Sequence, residues 1–501
     1  MKRSAFLTLA LAALSAGVIV AAHGLLLGTA NRVDFRETVY AGDRSAAEGV
    51  ILTARQSAGR QLYWDSALPL AAPELARTSF TARSLKKPEE HRYVPSGLRM
   101  YFPLGGGSYQ FGGGVDAAAL RGGFSEYPAA AVEAILAAAE RTGAGETHRE
   151  TLRIRDYMDD MPLLVDLDLG EWTAVCWQDM FYSAGDIQDA LTQRFNEYFR
   201  FPVPEDATLA VEVTKNSHGM VTGLRTESDP DRNALDADSV VTDGKCWFTV
   251  QSIDGAALDF SGVPGGRGLY CLPFTPREGG KNAVDVDFDA MHIVYPLRED
   301  EYPVALYGDE NGALLLALRT ESGVELVTLD CASETVLQRT ELFSGEVHES
   351  GGWVFCTRGN WLYAACDTRV RCYERGADGV YTPLLDAPNG AKNVLPEEIA
   401  YRTDLPPSAL AWDGERLAAV TASTSGSRYD RGNAAGALLL TVYDQTGLRY
   451  CAALESGVML PGSDGFENRV FWGEYNAVTA DMLALDFDRD RSNAAQARIS
   501  S

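Results

Sequence analysis

The sequence lacks every motif that would fix a reaction. It contains no Gly-x-Ser-x-Gly nucleophile elbow, no phosphate loop ending in Gly-Lys-Ser/Thr and no Asp-x-Asp-x-Asp-Gly calcium loop. No two cysteines form a C-x-x-C pair, and none of the six histidines stands four residues from another. The sequence therefore predicts no catalytic residue, no cofactor and no metal ion.

Charged side chains are also absent from Ser4 to Ala30, directly after Lys2 and Arg3. As a helix, this stretch would be about 40 Å long, whereas the hydrocarbon core of a bilayer is about 30 Å thick. We predict that residues 1–30 form a single transmembrane anchor. Lys2 and Arg3 favour a cytoplasmic amino end, which places the bulk of the chain outside the cell membrane. The alternative is a signal peptide cleaved after Ala22 or Ala30, although such peptides have apolar cores of only about 7–15 residues.

The eight cysteines lie far from this apolar segment. A lipoprotein needs a cysteine just after its apolar core, and the first cysteine here is Cys176, so lipid attachment is excluded. An even number of cysteines in an exported protein permits disulfides. Most of them stand inside apolar strands, where a free thiol acts as a small buried hydrophobe. We therefore predict mostly reduced thiols, with Cys366–Cys372 as the first pair to test for a disulfide.

The formal net charge of −26 limits the partners. Such a chain repels the phosphate backbone, which excludes nucleic acid. It also repels an anionic lipid surface, so the folded part should stand off from the bilayer. The expected partners are the membrane, through the amino-terminal helix, and other proteins or a cell-surface ligand.

Two segments carry helix signals. Pro128–Arg141 is rich in alanine, begins with proline and is followed by Gly143. Asp186–Phe199 begins with a capping aspartate and repeats apolar residues at four-residue spacing, and Pro202 and Pro204 follow it. We predict helices near 128–141 and 186–199.

The rest of the chain predicts hairpins. Tight-turn pairs occur at Asp243-Gly244, Asn311-Gly312, Gly359-Asn360 and Asp413-Gly414, at spacings of 68, 48 and 54 residues. Strands such as residues 314–318 and 438–442 are apolar on both faces, which is typical of a strand buried between neighbouring sheets. A repeating unit of this size indicates a solenoid or a propeller. The strands that pair with these apolar strands are more mixed in polarity, which is typical of the solvent-exposed outer strands of a propeller blade.

Ser408–Ala422, with its apolar strand, Asp-Gly turn and second apolar strand, resembles the blades of bacterial WD-repeat-like and quinoprotein-like propellers. The resemblance implies a fold and carries no functional residue with it. We predict a mainly β protein in which residues 31–487 form a β-propeller of about seven blades, range six to eight, with two inserted helices. Residues 488–501 form a frayed tail. In the alternative, residues 36–206 are a separate α+β domain that ends near Pro202–Pro204.

Propellers close by pairing strands from the two ends of the chain. We predict that a strand from residues 36–54 pairs with the final strands, Arg469–Trp472 and Met482–Phe487.

Three acidic runs and five tryptophans are the candidate binding sites in the sequence. The runs are Asp156, Asp159, Asp160, Asp166 and Asp168; Asp285, Asp287 and Asp289; and Asp486, Asp488 and Asp490. None has the glycine that bends a calcium loop, so solvated strand faces are favoured. The candidates for stacking on a sugar ring are Trp172, Trp177, Trp353, Trp361 and Trp412, and their apolar neighbours favour a position in the core.

These observations favour a membrane-anchored binding, sensing or assembly module over an enzyme. The alternative is a propeller enzyme that acts on an extracellular substrate such as a polysaccharide, since the separation of two catalytic carboxylates depends on the fold and not on the sequence.

Overall fold

The computed structural model describes residues 13–21, 35–58, 62–82, 97–102, 107–123, 129–168, 174–177, 180–182, 184–228, 235–252, 258–276, 283–309, 311–345, 353–422, 437–456 and 483–487. Residues 13–21 of the predicted anchor are helical, and the rest of the anchor lies outside these ranges. The predicted strand Arg469–Trp472 and the tail 488–501 also lie outside them. None of the helices within the ranges has both the length and the apolar character that a membrane crossing requires.

The protein is mainly β, as predicted. Its strands are β1 Phe35–Gly42, β2 Val50–Ala58, β3 Leu62–Pro69, β4 Arg77–Ala82, β5 Gly97–Tyr101, β6 Gly107–Val115, β7 Thr147–Arg153, β8 Asp160–Met161, β9 Leu164–Asp168, β10 Ala174–Trp177, β11 Met180–Tyr182, β12 Phe201–Pro202, β13 Thr208–Lys215, β14 Val221–Ser228, β15 Leu235–Asp236, β16 Ser239–Thr242, β17 Lys245–Thr249, β18 Gln251–Ser252, β19 Gly268–Pro276, β20 Ala283–Val286, β21 His292–Pro296, β22 Tyr302–Gly308, β23 Ala313–Thr320, β24 Gly323–Asp330, β25 Thr335–Ser344, β26 Trp353–Arg358, β27 Trp361–Cys366, β28 Arg369–Arg375, β29 Tyr381–Pro388, β30 Ala409–Trp412, β31 Leu417–Ala422, β32 Ala437–Asp444, β33 Gly447–Ser456 and β34 Leu483–Phe487.

Two longer helices interrupt the strands, α1 at Ala129–Arg141 and α2 at Ala184–Tyr198. Both were predicted, and α2 begins two residues earlier than its capping signal at Asp186. The four-residue apolar spacing of α2 puts Leu191 and Phe195 into the core of their unit. Short helical turns occur at Arg44–Ala47, Pro73–Leu75, Ala117–Ala119, Leu120–Gly123, Ile154–Asp156, Ala391–Val394, Glu397–Ala400 and Tyr401–Asp404.

The chain divides into two compact units. Unit 1 combines both ends of the chain, residues 1–91 and 342–501, and unit 2 is the contiguous segment 92–341. The boundaries fall near residues 91 and 341, and not at Pro202–Pro204, where the α+β alternative placed one.

The described residues of unit 1 form three sheets of antiparallel strands. Their strand orders are β34-β2-β3-β4, β1-β33-β32-β31-β30 and β26-β27-β28-β29. Side chains of the second sheet alternate between its two faces. Val420 and Leu440 pack with Leu52 of the first sheet, whereas Leu417 and Tyr443 pack in a cluster with residues of the third. The second sheet is therefore covered on both faces, which explains why residues 438–442 are continuously apolar.

Strands from opposite ends of the chain pair in unit 1. The final described strand, β34, runs antiparallel to β2, with Leu485 opposite Leu52 and Val50 opposite Phe487. This confirms the predicted pairing for residues 482–487. The other amino-terminal strand, β1, pairs with β33, which the sequence analysis did not foresee.

The junction between β1 and β33 depends on Gly42. Its φ of +79° lies in the left-handed region, and a Cβ atom there would stand 1.8 Å from the carbonyl oxygen of Arg449. We expect Gly42→Ala to detach the end of β1, measured as faster amide hydrogen exchange in β1 and β33. Gly345→Ala is the matched control, because Gly345 has a φ of +91° but open space around it. The substitution Gly345→Ala should destabilise the protein by only about 1 kcal/mol, through backbone strain at positive φ. Equal effects of the two substitutions would contradict this steric argument.

Unit 2 contains a sheet of order β22-β23-β24-β25, a sheet of order β6-β14-β13-β7, and a larger sheet of order β11-β10-β20-β19-β17-β16, to which β21 adds by pairing with β19. The described part of unit 2 also contains three separate two-stranded sheets, β5–β9, β8–β12 and β15–β18. Alternate leucines of β23, among them Leu314 and Leu316, pack with Trp247 and Leu269 of the larger sheet. The predicted turns are present here, and Asp243 and Gly244 both have positive φ between β16 and β17.

A buried carboxylate, Glu301, anchors the start of β22. Its side chain is 0% exposed and accepts hydrogen bonds from Arg339 Nη1 at 2.7 Å, Tyr295 Oη at 3.2 Å and the backbone N–H of Arg298 at 2.9 Å. Arg298 also forms an ion pair with it at 2.9 Å. Burial raises the pKa of Glu301, but the N–H of Arg298 and the two guanidinium groups outweigh it and hold the pKa below its ordinary value. Glu301 is therefore a satisfied buried anion.

The described cysteines are free thiols, as predicted. Cys246, Cys271, Cys331, Cys356, Cys372 and Cys451 are buried and Cys366 is partly exposed. Cys366 and Cys372 remain unbonded to each other, because they lie on neighbouring strands with different partners, Trp353 for Cys366 and Tyr363 for Cys372. The side chain of Cys176 lies outside the described set.

Candidate functional site

The acidic runs singled out in the sequence form no three-ligand group among the described residues. Asp287 accepts a hydrogen bond from the N–H of Ala290 at 3.1 Å, and Asp289 pairs with Arg194 at 2.6 Å. The described side chains of the other runs, Asp156, Asp159, Asp160, Asp166 and Asp486, are exposed. Asp488, Asp490 and the side chain of Asp168 lie outside the described set.

Three residues of unit 2 that the sequence analysis did not select do converge. One potential ligand atom each from Cys271, His292 and Glu334 lies within 4.8 Å of the others. Cys271 of β19 and His292 of β21 are direct cross-strand partners, so their side chains share one face of the sheet. Trp247 of β17 is the partner of Cys271 on its other side. We call Lys245, Cys271, His292 and Glu334 the thiol–imidazole cluster.

Glu334 reaches the cluster from the turn between β24 and β25. It has a φ of +58°, which is rare for a residue other than glycine. Its N–H donates to the carbonyl of Asp330 at 2.8 Å, and the side chain of Asp330 accepts from the N–H of Ser333 at 2.6 Å. These bonds hold the turn in a conformation that costs roughly 1 kcal/mol or more. The carboxylate of Glu334 is thereby fixed over the sheet.

Hydrogen bonds orient each member of the cluster. Lys245 Nζ donates to Glu334 Oε1 and to the carbonyl of Cys331, each at 2.8 Å, and lies 5.2 Å from the centre of the Trp247 ring. His292 Nδ1 is 2.8 Å from the carbonyl of Ala290, and its Nε2 is 2.7 Å from Glu334 Oε2. A carbonyl can only accept, so Nδ1 carries a hydrogen and Nε2 faces the carboxylate.

The cluster perturbs the ionisation of its members. Burial raises the pKa of the Cys271 thiol to about 12. The carbonyl of Ala290, followed by the carboxylate of Glu334, raises the pKa of His292 despite partial burial. Burial also raises the pKa of Glu334, but Lys245 and His292 outweigh it and lower that pKa overall. A nucleophilic cysteine needs a lowered pKa, so Cys271 is not built as a thiolate nucleophile.

No spacing pattern along the chain indicates this cluster. Cys271 and His292 are separated by 21 residues, and Glu334 follows 42 residues later. Only the antiparallel pairing of β19 with β21, and the turn after β24, bring them together. A thiolate, an imidazole and a carboxylate are the donors that protein zinc sites use.

A second polar feature, in unit 1, is an open cleft of about 510 Å³, which we call the arginine cleft. Its lining includes Asp43, Arg416, Asp444 and Arg449. The N–H and side chain of Ser45 lower the pKa of Asp43. Burial raises the pKa of Asp444, but Thr446 and then Arg449 outweigh it and lower that pKa. Both carboxylates are therefore anionic well below neutral pH.

The tryptophans were predicted to be core residues. Trp361 and Trp412 pack partly buried against the core of unit 1, as predicted. Trp353 stacks on Phe355 with ring centres 5.9 Å apart. Trp172 and the side chain of Trp177 lie outside the described set.

Comparison with known proteins identifies no family. No family model matches the chain, and no curated protein matches it. Solved structures with a weak likeness include prolyl oligopeptidase B from Galerina marginata, at 9% identity and a TM-score of 0.20. The match covers 48% of this chain and 28% of that one, so the chain spans less than a third of the oligopeptidase.

Two further likenesses are equally weak. A protein designated a 6-phosphogluconolactonase from Bacteroides uniformis matches at 14% identity and a TM-score of 0.21, over 52% of this chain and 85% of that one. The PQQ domain of pyranose dehydrogenase from Coprinopsis cinerea matches at 17% identity and a TM-score of 0.17, over 30% of this chain and 36% of that one. Scores this low assign neither fold nor function.

Proposed function

We propose that the protein is a membrane-tethered β-propeller of about seven blades that acts outside the cell membrane as a binding, sensing or assembly module. The observation that carries the proposal is the apolar helical segment at residues 13–21. Its side chains are exposed, with Leu14, Val18, Ile19 and Val20 each 62–70% accessible. A helix with such a surface gains free energy by entering a bilayer.

The strand pairing of unit 1 supports the propeller. Three antiparallel sheets are packed face to face, and the last described strand completes a sheet that β2 begins. Propellers close their rings by this kind of pairing. Six sheets of the described chain have four or more strands, three in each unit, and a propeller blade is a sheet of four strands.

A binding role fits the polar surfaces better than hydrolysis does. Glycoside hydrolysis requires one carboxyl group that stays protonated as the general acid. Asp43 and Asp444 of the arginine cleft both have lowered pKa values. The alternative, a propeller enzyme acting on an extracellular polysaccharide, therefore gains no support from this cleft.

Membrane fractionation of cells that express the full chain tests the tether. We expect the protein to remain in the membrane pellet after an alkaline wash and to be digested by protease added outside the membrane. The matched control replaces Val18 and Ile19 with lysine, which should shift the protein out of the washed pellet because charges are costly in hydrocarbon. A soluble exported product whose amino terminus follows Ala22 or Ala30 would overturn the proposal.

A further inference from the structure

We propose that Cys271, His292 and Glu334 bind a zinc-class divalent ion through one sulfur, one nitrogen and one oxygen. This inference is independent of the membrane tether, since all three ligands belong to unit 2. It also goes beyond the sequence analysis, which predicted no metal.

The contact between His292 and Glu334 calls for a positive charge. Because Nδ1 donates to the carbonyl of Ala290, the neutral ring directs the lone pair of Nε2 at Glu334 Oε2, 2.7 Å away. Two lone pairs at that distance repel each other, so a positive charge must lie between them, either the proton of an imidazolium or a metal ion that takes the place of that proton. Metal-binding histidines in proteins usually donate their other N–H to a carbonyl or a carboxylate, as His292 does.

The third ligand is already close. Cys271 is buried, and its Sγ lies 4.0 Å from Glu334 Oε1 and within 4.8 Å of the other ligand atoms of the group. Zinc binds sulfur at about 2.3 Å and nitrogen or oxygen at about 2.0–2.2 Å, so tetrahedral ligand atoms lie roughly 3.3–3.8 Å apart. The imidazole and the carboxylate must separate by less than about 1 Å to reach this geometry, and the 45% exposed side chain of His292 has room for this shift while Nδ1 keeps its bond to Ala290.

The sulfur, nitrogen and oxygen ligands determine which metal ion the site prefers. Calcium and magnesium prefer oxygen ligands throughout, whereas a thiolate with an imidazole suits zinc and its neighbours. Lys245 holds Glu334 Oε1, so Oε2, which faces His292 Nε2, is the oxygen that would bind the ion. The side chains of His292 and Glu334 are 45% and 27% exposed, so a fourth position opens to solvent. Three protein ligands with an open fourth position are typical of zinc sites that bind water or substrate.

Cobalt titration of the chelator-stripped full-length protein tests the proposal. We expect one Co²⁺ per chain with tetrahedral d–d absorption and a thiolate-to-cobalt charge-transfer band, both removed by added Zn²⁺. His292→Gln should weaken binding about tenfold or more, and Cys271→Ser should abolish the charge-transfer band. Cys356→Ser, which removes another buried thiol, and His218→Gln, which removes an exposed imidazole, are the matched controls and should leave both signals unchanged.

Two outcomes would overturn the proposal. One is the absence of stoichiometric cobalt binding in the wild-type chain, which would leave the cluster as an ion-paired structural contact. The other is a charge-transfer band that persists in Cys271→Ser. Because Cys271 is buried, its variant requires circular dichroism to verify folding. The half-exposed His292 gives a variant that decides the question if Cys271→Ser does not fold.

Discussion

Replacing Leu485 with aspartate is expected to release β34 from β2 and to destabilise unit 1 by about 3–5 kcal/mol, because a charge then occupies an apolar contact. Leu485 is 9% exposed and faces Leu52 across the strand pair. Its neighbour Ala484 faces Thr53, and both of these side chains are exposed.

Ala484→Asp is therefore the matched control, since it places the same charge on the same strand but on its solvent-exposed face. It should change stability by no more than about 0.5 kcal/mol. Urea denaturation of the full chain, with hydrogen exchange of residues 50–58 as the local reporter, measures both variants. If both aspartates had the same effect, the buried face of β34 would be assigned wrongly.

Glu301→Gln is expected to destabilise unit 2 by about 2–3 kcal/mol. Breaking a buried ion pair by removing one partner leaves an uncompensated charge, which costs about 3–5 kcal/mol when both partners are buried. Arg298 and Arg339 keep 58% and 32% of their side-chain surface exposed, so the expected value lies at or below the lower end of that range. Hydrogen exchange in β21 and β22, together with the urea midpoint, measures the loss.

The lowered pKa of Glu301 also determines how the stability loss in Glu301→Gln depends on pH. The pKa of Glu301 is lowered by folding from its ordinary value of 4.5, so its stabilisation is fully present above that value. It disappears as the pH falls through the lower pKa of the folded state. The stability difference between the wild type and Glu301→Gln should therefore shrink below about pH 4. Glu299→Gln, which changes an exposed neighbour, is the control and should change the stability by no more than about 0.5 kcal/mol.

Local signals in the sequence predicted much of the secondary structure. The Asp243-Gly244 pair predicted a hairpin because both central residues need positive φ, and both have it. The alanine-rich segment and the apolar repeat predicted α1 and α2 to within two residues. The continuous apolar run at residues 314–318 predicted a strand that is buried on both faces, and it is.

Pairing between strands that are far apart in the chain could not be predicted from such local signals. Nothing near Phe35 indicates that β1 pairs with β33, because that register depends on a bulge and on Gly42 meeting Arg449. The thiol–imidazole cluster escaped prediction for the same reason. Its members are scattered along the chain, and only cross-strand register brings Cys271 beside His292.

The pairing of β2 with β34 has a consequence for biosynthesis. The ribosome completes β2 at Ala58, and its partner begins only at Leu483. At about 5–20 residues per second, the intervening segment takes roughly 20–80 seconds to synthesise. During that interval one edge of β2 presents unpaired amides that can recruit other nascent chains. Unit 2 is complete well before this point, so the last step of maturation belongs to unit 1, and it consists of closing that edge of β2 with β34.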